Sequence, residues 1–169
     1  MIDYNQSLTP PEAIRRILAI ADAGIDLAWV EEPVPAEDFA GHAAVRAKVP
    51  TPIQTGENWW FPADAARAID AGISDHAMLD IMKIGGFTGW RRAAAMAEAA
   101  SMPVSSHLFL EASAHALATT PNAHLVEVLD IAGTVLQSPH QVARGTLAPR
   151  GPGLGIAWDE DAVARHLLT

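Results

Sequence analysis

Residues 76–100, HAMLDIMKIGGFTGWRRAAAMAEAA, contain one complete unit of strand, turn and helix. The run HAMLD is short and mostly apolar, and it ends on an acidic residue, Asp80. A pair of glycines marks a turn, and the alanine-rich stretch GWRRAAAMAEAA then favours a helix. This order is typical of an α/β protein, in which each buried strand is followed by a helix that covers it.

The same unit recurs along the chain. Strand-like runs are MIDYN (1–5), LAWVEEP (27–33), TPIQTGEN (51–58), HAMLD (76–80), MPVSSHLF (102–109) and AHLVEVLD (123–130). They are continuously apolar rather than alternating, as expected for strands buried on both faces of a parallel sheet. A polar residue stands at the end of each run, at intervals of 20 to 28 residues: Asp3, Glu31, Glu57, Asp80, His107 and Glu127.

A chemically useful residue at every strand end is typical of a (β/α)8 barrel, whose active site forms at the carboxyl ends of its strands. A doubly wound open sheet is the alternative, but it normally places its ligand contacts at one switch point. We therefore predict a partial TIM-type barrel of about six βα units over residues 1–144. A Pro/Gly-rich return segment with a short helix is predicted over residues 145–169.

A barrel needs eight strands, and the sequence offers six. Such a fragment would expose two unpaired strand edges together with apolar core surface, and both features favour association. We expect either a homo-oligomer or completion of the barrel by another chain.

The composition restricts the class of partner and compartment. The chain has 169 residues and a net charge of −9, which argues against a nucleic acid or an anionic membrane as a partner. The absence of cysteine excludes disulfides and thiolate metal sites. No signal peptide or membrane span is visible in the sequence, so a cytoplasmic location is predicted.

Three of the acidic strand ends, Asp3, Glu31 and Glu57, would meet at one rim of the barrel. Three carboxylates cannot all remain ionised at close range without a cation. An all-oxygen set suits Mg²⁺, with Mn²⁺ as a second choice. Each acid taken singly fits the alternative of a helix-start residue facing the helix dipole, but the repetition on successive units favours a metal. Asn5 would point the same way as Asp3 if the first strand extends that far.

Asp80 and His107 end neighbouring strands, so their side chains are expected to meet. A carboxylate on one ring nitrogen would fix the tautomer of His107 and make the other nitrogen a general base. The alternative is a histidine that is merely hydrogen-bonded in its loop. Glu127 could donate a hydrogen bond to a developing oxyanion. Lys83 could balance the acidic rim or be an ordinary solvated lysine.

Two further features near the rim have open interpretations. Glu32, next to Glu31, could support a neighbouring site residue or form an ion pair with an adjacent unit. The tryptophans of GENWWFP (56–62) could wall an apolar substrate pocket or pack against the next helix.

Seven motifs, in this order, resemble the mandelate racemase and muconate lactonizing enzyme family of the enolase superfamily, with mandelate racemase as the most similar branch. They are DYNQSL, WVEEP, GENWW, DIMKIGGFTGW, SSHLFLEASAH, AHLVEVLD and PGLGIAW. The resemblance implies Mg²⁺ ligands at Asp3, Glu31 and Glu57, with Asn5 near the substrate. We also predict Lys83 as a substrate-binding residue. It implies a His107–Asp80 dyad and an electrophilic Glu127.

The reaction implied by the resemblance is removal of the proton α to a carboxylate, with the enolate stabilised by a metal and a hydrogen-bond donor. A racemase of this family uses a second base, a lysine of a K-x-K motif, and this chain has only Lys48 and Lys83. The resemblance also implies that the first two barrel strands and the amino-terminal capping domain are missing.

We therefore expect a truncated racemase for 2-hydroxy acids with little activity alone. The alternatives are a sugar-acid dehydratase of the same superfamily and a non-catalytic metal-binding half-barrel completed by another chain.

Overall fold

The computed structural model of the protein describes residues 1–167. Six parallel strands form one sheet: β1 (Ile2–Asp3), β2 (Val30–Glu31), β3 (Ile53–Thr55), β4 (His76–Asp80), β5 (Val104–His107) and β6 (Ala123–Val126). Leu168 and Thr169, the end of the predicted return segment, lie outside the described residues.

A helix follows each of the first five strands: α1 (Pro10–Asp22), α2 (Phe39–Arg46), α3 (Phe61–Asp70), α4 (Gly86–Ala99) and α5 (Leu110–Ala118). Local chemistry sets several of their starts. Prolines occupy the first turns of α1 and α3, where a missing backbone N–H costs nothing. The carboxylate of Asp38 accepts a hydrogen bond from the Gly41 N–H and so caps α2. None of the helices within residues 1–167 combines the length and hydrophobicity of a membrane span.

Each strand pairs with its neighbour in sequence, in the order β1-β2-β3-β4-β5-β6. The register places Asp3 opposite Glu31 and Asp80 opposite His107. A doubly wound sheet would reverse its strand order at a switch point, and the described strands do not. The prediction of a partial barrel is therefore confirmed, and the doubly wound alternative is wrong.

The core lies between the sheet and the helices in two clusters. One cluster joins β1–β3 to α1 and α2 through Ile17, Val30, Val45 and Ile53. The other joins β4 and β5 to α3–α5 around Trp90, whose Nε1 donates to Thr120 Oγ1 at 2.9 Å. The packed apolar core therefore supports the strands whose carboxyl ends bear the polar residues.

Left-handed backbone conformations gather where the strands end. Asn5 (φ 46°), Glu32 (φ 35°) and Leu108 (φ 49°) follow β1, β2 and β5 respectively. Such conformations cost non-glycine residues about 1–3 kcal/mol each and are typical of functional loops. The first strand ends at Asp3, earlier than predicted, so strand alternation does not set the direction of Asn5.

The chain after β6 returns across the surface. A 3₁₀ turn (Gly133–Val135) precedes a loop and then α6 (Glu160–Arg165). Leu136 and Trp158 form an isolated antiparallel bridge, and the Gln137 N–H donates to the Ala157 carbonyl at 2.9 Å. The edges of β1 and β6 have no further strand beside them within residues 1–167.

Candidate active site

The predicted dyad is present in the structure. His107 Nδ1 lies 2.8 Å from Asp80 Oδ2. The other oxygen of Asp80 accepts from the backbone N–H groups of Met82 and Lys83, at 2.8 and 3.0 Å. The parallel register of β4 and β5 brings the two residues side by side. A carboxylate held by three donors is well suited to fix the orientation of the imidazole.

The electrostatics of the dyad favour an ion pair. Burial alone would raise the pKa of Asp80, but the hydrogen bonds from His107 and from the two backbone N–H groups lower it overall. Burial alone would lower the pKa of His107, but the bond to Asp80 and the charges of Glu57 and Glu127 raise it above its usual value. His107 is therefore a strengthened base.

The three carboxylates predicted to hold a metal lie at the same rim. Glu31 is buried, and its Oε2 accepts from Trp29 Nε1 at 3.1 Å and from Gln54 Nε2 at 2.9 Å. Asp3 accepts from the backbone N–H of Asn5 at 2.7 Å and from its side-chain amide at 3.3 Å.

These carboxylates influence one another electrostatically. Burial raises the pKa of Glu31 and of Glu57, and the negative charge of Asp3 raises both further. His107 and Lys83 oppose the rise at Glu57. The rim therefore carries unbalanced negative charge, which a divalent cation would relieve.

The fit of these residues to a cation lies in their chemistry. Three carboxylates are the hard oxygen donors that Mg²⁺ prefers. Within residues 1–167, no three histidine or acidic side chains are already gathered at metal-binding distance. Both oxygens of Asp3 and Oε2 of Glu31 accept hydrogen bonds from protein donors. The metal ligand set remains a prediction.

His107 lies at the end of β5, and Glu127 directly follows β6. His107 Nε2, the nitrogen not bonded to Asp80, lies 3.7 Å from Glu57 Oε2. Glu127 Oε2 accepts from the backbone N–H of Leu108 at 2.7 Å. A cavity of about 410 Å³ is lined by Asp3, Glu31 and Glu127, but not by Glu57 or His107.

One buried network was not foreseen from the sequence. The Glu32 side chain is 2 % exposed, and both of its oxygens accept from Asn58 Nδ2, at 3.2 and 3.0 Å. Lys83 Nζ donates to Asn58 Oδ1 at 2.8 Å. Lys83, predicted to bind substrate, is thus committed to Asn58. Glu32 forms none of the ion pairs found within residues 1–167, and its partner Asn58 also lies 3.3 Å from Glu57 Oε1.

Burial raises the pKa of Glu32 to about 7, and the charge of Glu57 contributes, although the bonds from Asn58 oppose the rise. The sequence suggests separate roles near the rim for Glu32 and Lys83, but not that Asn58 joins them.

The two tryptophans after Asn58 have different environments. Trp59 is 3 % exposed and packs in the core cluster around α3 and α4, as the helix-packing alternative predicts. Trp60 is 57 % exposed and lines a cavity of about 500 Å³ beside Asn58. Trp59 also reaches the wall of this cavity, so both tryptophans line it, and only Trp60 does so with an exposed ring.

Comparison with known proteins identifies the family of the chain. The family model of enolase C-terminal domain-like proteins matches residues 1–162. The chain belongs to this family. The resemblance inferred from its motifs is confirmed.

A solved member of the superfamily is very similar to this enolase-family chain. It is an enolase from Bradyrhizobium, crystallised in complex with magnesium and mandelic acid. The two are 56 % identical with a TM-score of 0.96, and the match covers 99 % of this chain and 46 % of that one.

More distant relatives act in different ways. The 3,6-anhydro-alpha-L-galactonate cycloisomerase of Streptomyces coelicolor is 34 % identical over 98 % of this chain and 46 % of its own. The L-talarate dehydratase of Polaromonas, crystallised with Mg and L-glucarate, is 29 % identical with a TM-score of 0.88 over 96 % of this chain and 46 % of its own. Epimerases are also among the relatives. The chain thus spans about half the length of the relatives it matches, and these relatives differ in reaction.

Proposed function

We propose that this chain carries the metal-binding and His-base half of an enolase-superfamily active site, which removes the proton α to the carboxylate of a 2-hydroxy acid. The observation that carries the proposal is the position of His107. Its Nδ1 is hydrogen-bonded to Asp80, and its Nε2 lies 3.7 Å from Oε2 of Glu57.

Each residue has a role in this proposal. Asp3, Glu31 and Glu57 would hold Mg²⁺, or Mn²⁺ in its place, which when bound stabilises negative charge on the substrate carboxylate. Asp80 fixes the tautomer of His107, so that Nε2 is free to accept the α-proton, and it then stabilises the imidazolium. Glu127, in its protonated form, donates a hydrogen bond to the developing oxyanion. Asn5, beside Asp3, lies on the substrate side.

The choice of a 2-hydroxy acid rests on the Bradyrhizobium enolase, whose crystals contain mandelic acid and which is 56 % identical to this chain. Trp60 offers an exposed aromatic surface next to the rim, which suits a substrate with an aromatic ring. Because only one base is present in the chain, full racemisation by the chain alone would be weak.

The second candidate is dehydration of a sugar acid. The L-talarate dehydratase of Polaromonas, with glucarate in its crystals, favours it. His107 would remove the α-proton, and the resulting imidazolium would then donate that proton to the departing 3-hydroxyl group, which leaves as water.

The open edges of β1 and β6 favour association with further strands, supplied by a second copy or by another chain. In this setting the chain would contribute metal ligands and one base to a larger barrel.

The decisive experiment is α-proton exchange. The chain is incubated with Mg²⁺ and each enantiomer of mandelate in D₂O, and loss of the α-proton is followed by NMR alongside optical rotation. We expect exchange of one enantiomer with retained configuration, because a single base acts on one face. His107→Asn should abolish it. Exchange that persists in His107→Asn, or a metal-loaded chain that exchanges neither enantiomer, would contradict the proposal. An acid-sugar library, screened for 2-keto products, distinguishes the dehydratase.

A further inference from the structure

Both the nitrogen and the oxygen of the Asn58 side-chain amide form hydrogen bonds. Its Nδ2 donates to the two oxygens of Glu32 and lies 3.3 Å from Glu57 Oε1. Its Oδ1 accepts from Lys83 Nζ at 2.8 Å. Asn58 thus bridges a buried acid, a rim carboxylate and a cation.

Lys83 links this network to the dyad. Its backbone N–H donates to Asp80 Oδ1 at 3.0 Å, and its carbonyl accepts from the Phe61 N–H at 3.1 Å. The backbone of Lys83 therefore belongs to the loop that holds Asp80, while its side chain reaches the residues around Glu57. One residue connects the two halves of the site.

Charge explains why the network exists. Glu32 is 2 % exposed and lies close enough to the carboxylate of Glu57 to feel its charge. A buried and a partly buried carboxylate repel each other when both are ionised, unless donors compensate them. Asn58 supplies the donor to both, and Lys83 supplies a positive charge whose influence extends to Glu57. Without this support, Glu57 would turn away from Glu32.

We infer that Asn58 and Lys83 are positioning residues, which hold the Glu57 carboxylate toward the rim in the orientation that the metal needs. This inference rests on the proposed function for its metal, but the orientation of Glu57 can be measured without one. Loss of a residue that orients a metal ligand typically weakens metal affinity about 10–100-fold.

The experiment uses the full chain labelled with [5-¹³C]glutamate. The carboxyl resonance of Glu57 is assigned by its absence in Glu57→Gln and is recorded without metal. Mn²⁺ affinity is measured separately by electron paramagnetic resonance. The test variants are Asn58→Leu, which keeps the volume but removes both hydrogen-bonding ends, and Lys83→Met, which keeps the stem and removes the charge. Lys83→Arg restores a donor, and Lys48→Met removes the chain's other lysine, which is exposed.

We expect the Glu57 resonance to move in Asn58→Leu and Lys83→Met, and Mn²⁺ affinity to fall about 10–100-fold in both. Lys83→Arg should recover part of the affinity, and Lys48→Met should match the parent. The double variant should bind no more weakly than Asn58→Leu alone, because the two residues act as one unit. If Asn58→Leu does not fold, Lys83→Met and Lys83→Arg alone test the positioning role.

The outcomes separate the two proposals. A Glu57 resonance and an Mn²⁺ affinity that are unchanged in both variants would overturn the positioning role and leave the proposed function standing. A parent chain that binds no Mn²⁺, but whose Glu57 resonance moves in the variants, would overturn the proposed metal site and support the positioning role.

Discussion

The Nε2 atom of His107 lies 3.7 Å from Oε2 of Glu57. The proposed base and the proposed metal ligand are therefore electrostatically coupled, and the charge of Glu57 is one of the causes that raise the pKa of His107. A cation that binds Glu57 would cancel this influence and add a repulsion of its own.

Mg²⁺ is therefore expected to lower the pKa of His107. The imidazole resonances of His107 are followed by NMR from pH 5 to pH 9, first with EDTA and then with saturating Mg²⁺. His166 lies outside this cluster and serves as the internal reference. A titration curve for His107 that is the same in both conditions would argue against metal binding at Glu57.

The Asp80–His107 pair should make a pH-dependent contribution to stability. The pKa of His107 is raised on folding, so its contribution is complete below about 6.5 and is lost as the pH rises through the folded value. The pKa of Asp80 is lowered, so its contribution is present above about 3.8 and is lost as the pH falls through the folded value. The two contributions coexist at mildly acid pH.

We expect Asp80→Asn to destabilise the chain by about 1.5–3 kcal/mol in that window, the usual value of a hydrogen bond to a charged group. The loss should become smaller on both sides of it. Urea unfolding at several pH values, without metal, measures the difference. Asp26→Asn, at an exposed position, is the control and should change little. A difference that does not vary with pH would show that the pair is not ionised.

Glu57→Ala should abolish measurable Mg²⁺ binding in titration calorimetry, because it removes one of three proposed ligands. His107→Ala should retain it, since the imidazole belongs to the base and not to the ligand set. Comparable loss of binding in the two variants would place His107 in the metal site and require a different assignment of the base.

Gly56→Ala tests the backbone that presents Glu57. Gly56 has a φ of 134°, and an added Cβ would lie 2.9 Å from the Met78 carbonyl oxygen of the next strand. The strain alone costs about 1–3 kcal/mol, and the close contact adds to it. Gly24→Ala is a matched control, since its φ is 76° but nothing lies within 4 Å of an added Cβ. Equal free energies of unfolding for the two variants would exclude the clash.

The sequence predicts the strand ends well because the signal is local. Asp3, Glu31, Asp80 and His107 each close a strand, and parallel register then brings the residues of neighbouring strands together. Parallel register is a general property of consecutive βα units, so no knowledge of loop conformation is needed.

The network of Glu32, Asn58 and Lys83 is different, because its members lie in loops and are 25 or 26 residues apart. Glu32 reaches Asn58 from a left-handed backbone conformation that no propensity favours for a glutamate before proline. Asn5 lies beside Asp3 through a left-handed turn and not through the strand alternation that the sequence suggested. Adjacent Trp59 and Trp60 diverge because α3 begins directly after them.

The consecutive strand order makes the molecule a linear array of similar modules, each supported by the one before and the one after it. Cohesion in such an array is greatest at the centre and decreases toward the ends, as it does in repeat proteins. β4 is paired on both sides, whereas β1 and β6 are each paired on one. We therefore expect the proposed dyad on β4 and β5 to lie in the slowest-opening part of the array. Asp3 and Glu127 lie in the two end modules, which we expect to unfold locally before the centre does.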